Sequence, residues 1–257
     1  MMLKQLTAAV SAVMITLSAA AAIHAEDIHS LDSAMHGYGQ GRELDAQNRP
    51  LGALRFNGDY SVYDAHAILE SENEIYFTFD QGYENGYTAP ILDTLKEKNV
   101  KAIFFLTGDY AKRNKELVQR MIDEGHIIGN HGMTHASLPK LSLQDAEKDI
   151  MDLHELIKQE YNYEMSYFRP SCGEYSERIL ALCQNLGYKT LFWSFAYQDW
   201  DVNKQPDAKT ASDRMSEAAH GGGIYLLHSV SSTNAAVLGD VIDNIRSQGY
   251  VFSLPKV

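Results

Sequence analysis

The sequence predicts an α/β fold built as an irregular (β/α)7 barrel. Three observations lead there. From Glu74 onward, short apolar runs alternate with amphipathic stretches, and alternation of this kind forces parallel strands joined by right-handed crossovers. The runs are short and apolar, as strands covered on both faces must be. Reactive side chains recur where the runs end, and in a parallel barrel those ends share the rim on which active sites form. An open doubly wound sheet is the other arrangement open to seven such strands. No Gly-rich dinucleotide fingerprint follows the first run, which weakens that reading.

The elements follow in order. Ile75 to Phe79 is a β-rich apolar run. Pro90 to Asn99 reads as a helix, with Thr88 near its start and proline early in its first turn. Ala102 to Leu106 is the second strand. Leu117 to Glu124 is helical and stops at Gly125. His126 to Ile128 is a brief third strand. Ser142, with Asp145 three residues on, opens a long helix to about Glu160 in the manner of a capping box. Tyr167-Phe168 is the fourth strand, and Ser176 to Leu186 a helix that stops at Gly187. Lys189 to Phe195 is the fifth strand. Lys209 to Ala219 is a helix ended by Gly221-Gly222-Gly223. Ile224 to Leu227, the helix Ala235 to Gln248 and Tyr250 to Ser253 close the series.

The chain has 257 residues, 45% of them apolar and 22% charged, the proportions of a globular protein. Its formal net charge of −12 leaves no basic face for nucleic acid or anionic lipid. Residues 1–25 read as a signal peptide. Lys4 is the only charge before Glu26, Leu6 to Ile23 is an apolar run, and Ile23-His24-Ala25 ends in a small residue as a cleavage site requires. The protein is therefore expected to be exported and free of the membrane once the signal is removed. Residues 26–73 have weak periodicity and are expected to lie on the main domain, which spans 74–257. Cys172 falls in a turn and Cys183 two turns into a helix, too far apart for a bridge.

Asp80, His131, Arg169, Asp199 and His228 follow or end five of the seven strands. Each alone has a bland explanation, but delivery of five chemical groups to one rim does not follow from packing. His131 and His135 are four apart, a spacing that puts two imidazoles on one face of a helical turn for a metal. His126 and His154 read as packing or surface groups, and His220 as a helix-end cation.

These residues stand in a recognisable order. Thr78-Phe79-Asp80-Gln81-Gly82, His131 with His135, Arg169-Pro170-Ser171-Cys172-Gly173, Ala196 to Trp200, and Leu226-Leu227-His228 resemble the five motifs of the polysaccharide deacetylases of carbohydrate esterase family four, whose fold is the NodB-homology barrel. The segments Asp80 to Thr88, Gly125 to His131, Phe192 to Ser194 and Ile224 to Ser231 are similar to the muramic-acid de-N-acetylase branch of spore formers, which prepares muramic δ-lactam in the spore cortex. The resemblance implies an amide hydrolase acting on peptidoglycan glycan strands. It implies that Asp80 is the base, held by Arg169, and that His228 is the acid, held by Asp199. It further implies that His131, His135 and Gln81 hold a divalent metal, here zinc, bound weakly. A backbone N–H near Cys172 would face the oxyanion, while Tyr83 and Trp200 would stack on sugars.

Departures are plain. Gln81 replaces the family's metal-binding Asp, Gly132 a Ser or Thr, Ser171 a Pro, and Ala196 an Asp. The alternatives are a deacetylase of N-acetylglucosamine polymers and a non-catalytic wall-binding protein. A glycosidase using Asp80 and Asp199 would leave the histidine pair and Arg169 unexplained.

Overall fold

The computed structural model describes residues 28–256, so the segment read as a signal peptide lies outside the described residues. The extension contributes β1 (His36–Gly37), α1 (Leu51–Tyr60) and β2 (Ala65–His66). The repeating part begins with β3 (Glu74–Gln81), α2 (Thr88–Glu97), β4 (Ile103–Leu106), α3 (Gly108–Arg113), α4 (Lys115–Asp123) and β5 (Ile127–Asn130). It continues with α5 (Leu143–Tyr161), β6 (Tyr167–Phe168), β7 (Glu174–Tyr175), α6 (Glu177–Asn185), β8 (Lys189–Leu191) and β9 (Phe195–Ala196). It ends with α7 (Ala208–Glu217), β10 (Gly223–His228), α8 (Ser232–Ser247) and β11 (Val251–Phe252).

The parallel strands lie in the order β8-β6-β5-β4-β3-β10-β9, with β11 beside the start of β3. β8 and β9 are two halves of the single run expected over Lys189 to Phe195. The chain bends between them, so β8 pairs with β6 while β9 pairs with β10, and the sheet curls into a barrel.

Residues 65–68 pair with two strands of the barrel. Ala65 and His66 pair with Thr190 and Leu191 of β8, and Ile68 bridges to Gly223 at the start of β10. The segment thus spans the seam where the two sheet edges diverge and satisfies edge groups that would otherwise be open. The contact is backbone on backbone. Leu69 N–H donates to the Gly222 carbonyl at 2.9 Å, and a Cβ on Gly222 (φ +79) would lie 1.8 Å from the Leu69 carbonyl oxygen. Nothing in the composition of Ala65 to Leu69 marks a strand, because its pairing is supplied by remote edges.

Alternation along β3 separates two cores. Ile75, Phe77 and Phe79 pack outward under the helices, whereas Tyr76 belongs to an interior cluster with Ile103, Phe105, Tyr167, Leu191 and Ile224. Thr78 and Asp80 share the parity of Tyr76, so Asp80 stands inside the barrel at its C-terminal rim. Ser142 caps α5 by accepting from Asp145 N–H, as its spacing predicts. α3 carries no periodic signal. It exists because the Thr107 side chain caps it, and it ends at Asn114. Among the described residues no helix is long and apolar enough to cross a membrane. Cys172 and Cys183 are both free.

Candidate active site

The register of β10 on β3 places His228 directly opposite Asp80. Neighbouring strands lie about 4.8 Å apart, so a carboxylate and an imidazole face one space at the rim. Asp80 is held from within. Arg169, among the described residues the largest side chain that is fully buried, donates from Nη1 to Asp80 Oδ1 at 2.8 Å and to Thr78 Oγ1 at 2.7 Å. Its Nε and Nη2 donate to the carbonyls of Leu191 and Phe192, both at 2.9 Å, and its guanidinium lies 4.2 Å from the centre of the Phe105 ring. Arg169 therefore ties β6, β8 and β3 together through the barrel interior. Burial works against an ionised Asp80, but the positive charge of Arg169 and its hydrogen bond, with His228 beside them, outweigh it and hold the carboxyl below its usual pKa.

His228 is oriented from the other side. Its Nδ1–H donates to Asp199 Oδ1 at 2.7 Å, and its backbone N–H donates to Oδ2 at 2.8 Å. Burial disfavours the imidazolium, yet the Asp199 charge and hydrogen bond prevail and raise the His228 pKa above 6.5. Asp199 has no exposure to solvent. Asn234 Nδ2 donates to Asp199 Oδ2 at 2.6 Å, a contact that sequence reading missed. No motif signals a hydrogen bond across 35 residues.

His131 and His135 do not sit on a helical turn. The segment between them is an irregular loop, in which Gly132 and His135 take positive φ values of 81° and 58°. Two groups that sequence reading missed shape it. The buried Asp149 of α5 accepts from Met133 N–H and Thr134 N–H at 3.0 Å each, and from Thr134 Oγ1 at 2.5 Å. Asn130 Oδ1 accepts from Gly132 N–H at 2.9 Å. The two rings end 4.8 Å apart between centroids. This explains why glycine stands at position 132. A Cβ there would meet Asp149 Oδ2 at 2.6 Å, and Asp149 is tied by three bonds and cannot swing aside cheaply. Gly132→Ser, which restores the family's usual residue, is therefore expected to destabilise the protein by about 2 kcal/mol or more from positive φ and displaced Asp149. Denaturant unfolding checks this, and a variant as stable as the wild type would contradict the geometry.

The rim opens into a cavity of about 970 Å³, lined among others by Asp80, His131, His135 and His228. Tyr83 and Trp200, 49% and 56% exposed, lie on its wall with Cys172. Cys172 takes a φ of 56°, and burial with the Glu174 charge raises its thiol pKa, so its side chain is no ready thiolate. The extension braces two of these walls. Tyr38 OH donates to the Trp193 carbonyl at 2.6 Å, and Trp193 Nε1 donates to Gln40 Oε1 at 2.9 Å. β1 pairs with β7 just beyond Cys172. His220 proves to be no helix-end cation. It is buried between the Ala218 carbonyl and Ser194 Oγ, and burial lowers its pKa.

The residues fit a divalent metal in part. His131 Nδ1–H donates to the Arg169 carbonyl at 2.8 Å, which leaves the Nε2 lone pair free, the usual arrangement of a ligating histidine. Burial pushes the His131 pKa down to about 4 and lowers that of His135, so both are neutral donors. Gln81 stands apart. It shares the outward parity of Phe79, it donates from Nε2 to Ser229 Oγ, and it does not line the cavity. Its Oε1 is buried without a partner among the described residues. The donor set facing the cavity is thus two neutral imidazoles, beside the Asp80 carboxylate 3.5 Å from His131 Nε2.

Residues 69–191 match the family model described as polysaccharide deacetylase. The peptidoglycan-N-acetylmuramic acid deacetylase PdaA of Bacillus subtilis is 42% identical over 205 residues, 79% of this chain and 78% of that protein. The chain belongs to the polysaccharide deacetylase family. The solved structure of Bacillus subtilis PdaA, a family 4 carbohydrate esterase, superposes with a TM-score of 0.82 at 39% identity, over 87% of this chain and 96% of that one. A peptidoglycan-N-acetylglucosamine deacetylase of Bacillus cereus is 31% identical over 202 residues, 77% of this chain and 94% of that protein.

Proposed function

We propose that this protein removes the N-acetyl group from N-acetylmuramic acid in peptidoglycan. The observation that carries the reading is the register of His228 against Asp80, each held by its own buried partner. One is kept ionised and the other is biased toward its protonated form, the pairing that amide hydrolysis needs. The choice of sugar rests on the greater identity to PdaA than to the Bacillus cereus glucosamine enzyme.

Asp80 takes a proton from the attacking water, and Arg169 holds the carboxylate in the orientation for it. His228 gives its Nε2 proton to the departing amine, while Asp199 stabilises the imidazolium and fixes its tautomer. A divalent metal, when bound by His131 and His135, supplies polarisation of the acetamide carbonyl. Zinc is the proposed ion, and it is held weakly. Tyr83 and Trp200 offer aromatic faces to sugar rings. The amine set free stands beside the lactyl carboxyl, and their condensation gives the δ-lactam found in spore cortex. Export through the N-terminal segment would bring the enzyme to that wall.

Two outcomes check this reading. Acetate is expected from glycan strands whose lactyl carboxyls are free, and little from chitin oligomers. Efficient release from chitin would instead favour the glucosamine reading. Calorimetric titration of the wild-type protein is expected to show weak zinc binding, because a catalytic zinc normally has three protein ligands and here two neutral imidazoles face the cavity. Stoichiometric, chelation-resistant zinc in the wild type would contradict weak binding.

A further inference from the structure

We infer that Asn234 is a positioning residue for the acid arm of the site, setting the rotation of the Asp199 carboxylate and, through it, the ring of His228. The inference rests on the deacetylase reading for its kinetic consequence but not for its geometry. Asn234 is fully buried in the first turn of α8. Both ends of its amide are engaged. Nδ2 donates to Asp199 Oδ2 at 2.6 Å and to the His228 carbonyl at 3.2 Å. Oδ1 accepts from the Tyr197 hydroxyl.

The sense of the amide is determined by Tyr197. Burial raises the pKa of that phenol, so it remains a hydroxyl that donates. With Oδ1 taken by this donor, Nδ2 must face the carboxylate. A flipped amide would set Oδ1 against Asp199 Oδ2, two acceptors in contact. Among the described residues, the remaining donors to the Asp199 carboxylate both come from His228 itself, its ring and its backbone N–H. Asn234 is therefore the donor that fixes the carboxylate independently of the histidine it serves. The start of α8 does not need this side chain, because Ser231 Oγ already accepts from the Asn234 backbone N–H at 3.0 Å. One hydroxyl, one amide and one carboxylate thus form a chain from Tyr197 to His228.

The test uses Asn234→Ala and Tyr197→Phe, alone and combined with Asp199→Asn. Acetate release from peptide-free glycan gives kcat and KM, and proton NMR follows the His228 Nδ1–H resonance. Asn234→Ala is expected to lower kcat at least about tenfold with KM within about twofold, and Tyr197→Phe to act in the same sense but less. Neither should lower kcat further once Asp199 is Asn. The Nδ1–H resonance should shift in both single variants. A full multiplicative loss in the Asp199→Asn background, or an unchanged resonance in a folded Asn234→Ala protein, would overturn the inference. Should Asn234→Ala fail to fold, an unchanged resonance in Tyr197→Phe would overturn it equally. Absence of acetate from the wild type, with the resonance shifted as expected, would overturn the deacetylase reading alone.

Discussion

Asp80→Asn is expected to reduce turnover by about 10²–10⁴-fold, the usual loss when a general base is removed, and to weaken the fold at the same time. The second effect follows from Arg169, which is fully buried and bonded to Asp80 Oδ1 at 2.8 Å. Breaking a buried ion pair by removing one partner destabilises by about 3–5 kcal/mol, because a charge is left uncompensated. The amide oxygen of the replacement still accepts from Arg169, which places the loss at the low end. Urea unfolding and acetate release on the same preparation separate the two effects. A folded Asp80→Asn protein with turnover within about tenfold of wild type would contradict the role given to Asp80.

His228→Ala and Asp199→Asn are each expected to lose about 10²–10⁴-fold in kcat, and the double variant to be no slower than His228→Ala. Asp199 acts through the ring, so once the ring is gone its charge has nothing to orient. The pH profile carries a second signature. Activity requires Asp80 ionised and His228 protonated, so it falls as pH rises through the His228 pKa. Burial opposes the protonated ring, but Asp199 raises that pKa above the ordinary value of 6.5. Removal of the Asp199 charge should therefore move the basic limb to lower pH. A limb that stays in place, or a double variant slowed by both factors, would show that the two residues do not work as a unit.

Much of the barrel is legible in the sequence because parallel strands covered on both faces must be short and apolar, and Gly125, Gly187 and Gly249 end their helices by positive φ. The bend between β8 and β9 is not legible, since Lys189 to Phe195 reads as one apolar run and only the remote edges of β6 and β10 divide it. The strand role of Ala65 and His66 is hidden for the same reason. At the rim, strand ends locate Asp80, His131, Arg169 and His228, because each lies at or within three residues of the end of an apolar run. Their supports are not legible. Asp149 falls inside the helix expected from Ser142 and Asn234 just before the helix expected from Ala235, and neither position signals what the fold brings it against, Thr134 and Asp199. The histidine spacing misleads on conformation, since H-x-x-x-H reads as helical while Gly132 and the Asp149 carboxylate make it a loop. Strand parity explains Gln81. One position beyond Asp80 turns its side chain away from the cavity and toward Ser229.

The most direct measurement is mass spectrometry of peptide-free peptidoglycan glycan before and after incubation with the wild-type protein and divalent ion, with released acetate counted in parallel. The expected result is loss of acetyl groups from muramic acid residues, one acetate for each, with the glucosamine residues unchanged and the glycosidic chain intact. Acetyl loss confined to glucosamine, or new reducing ends without acetate, would contradict it.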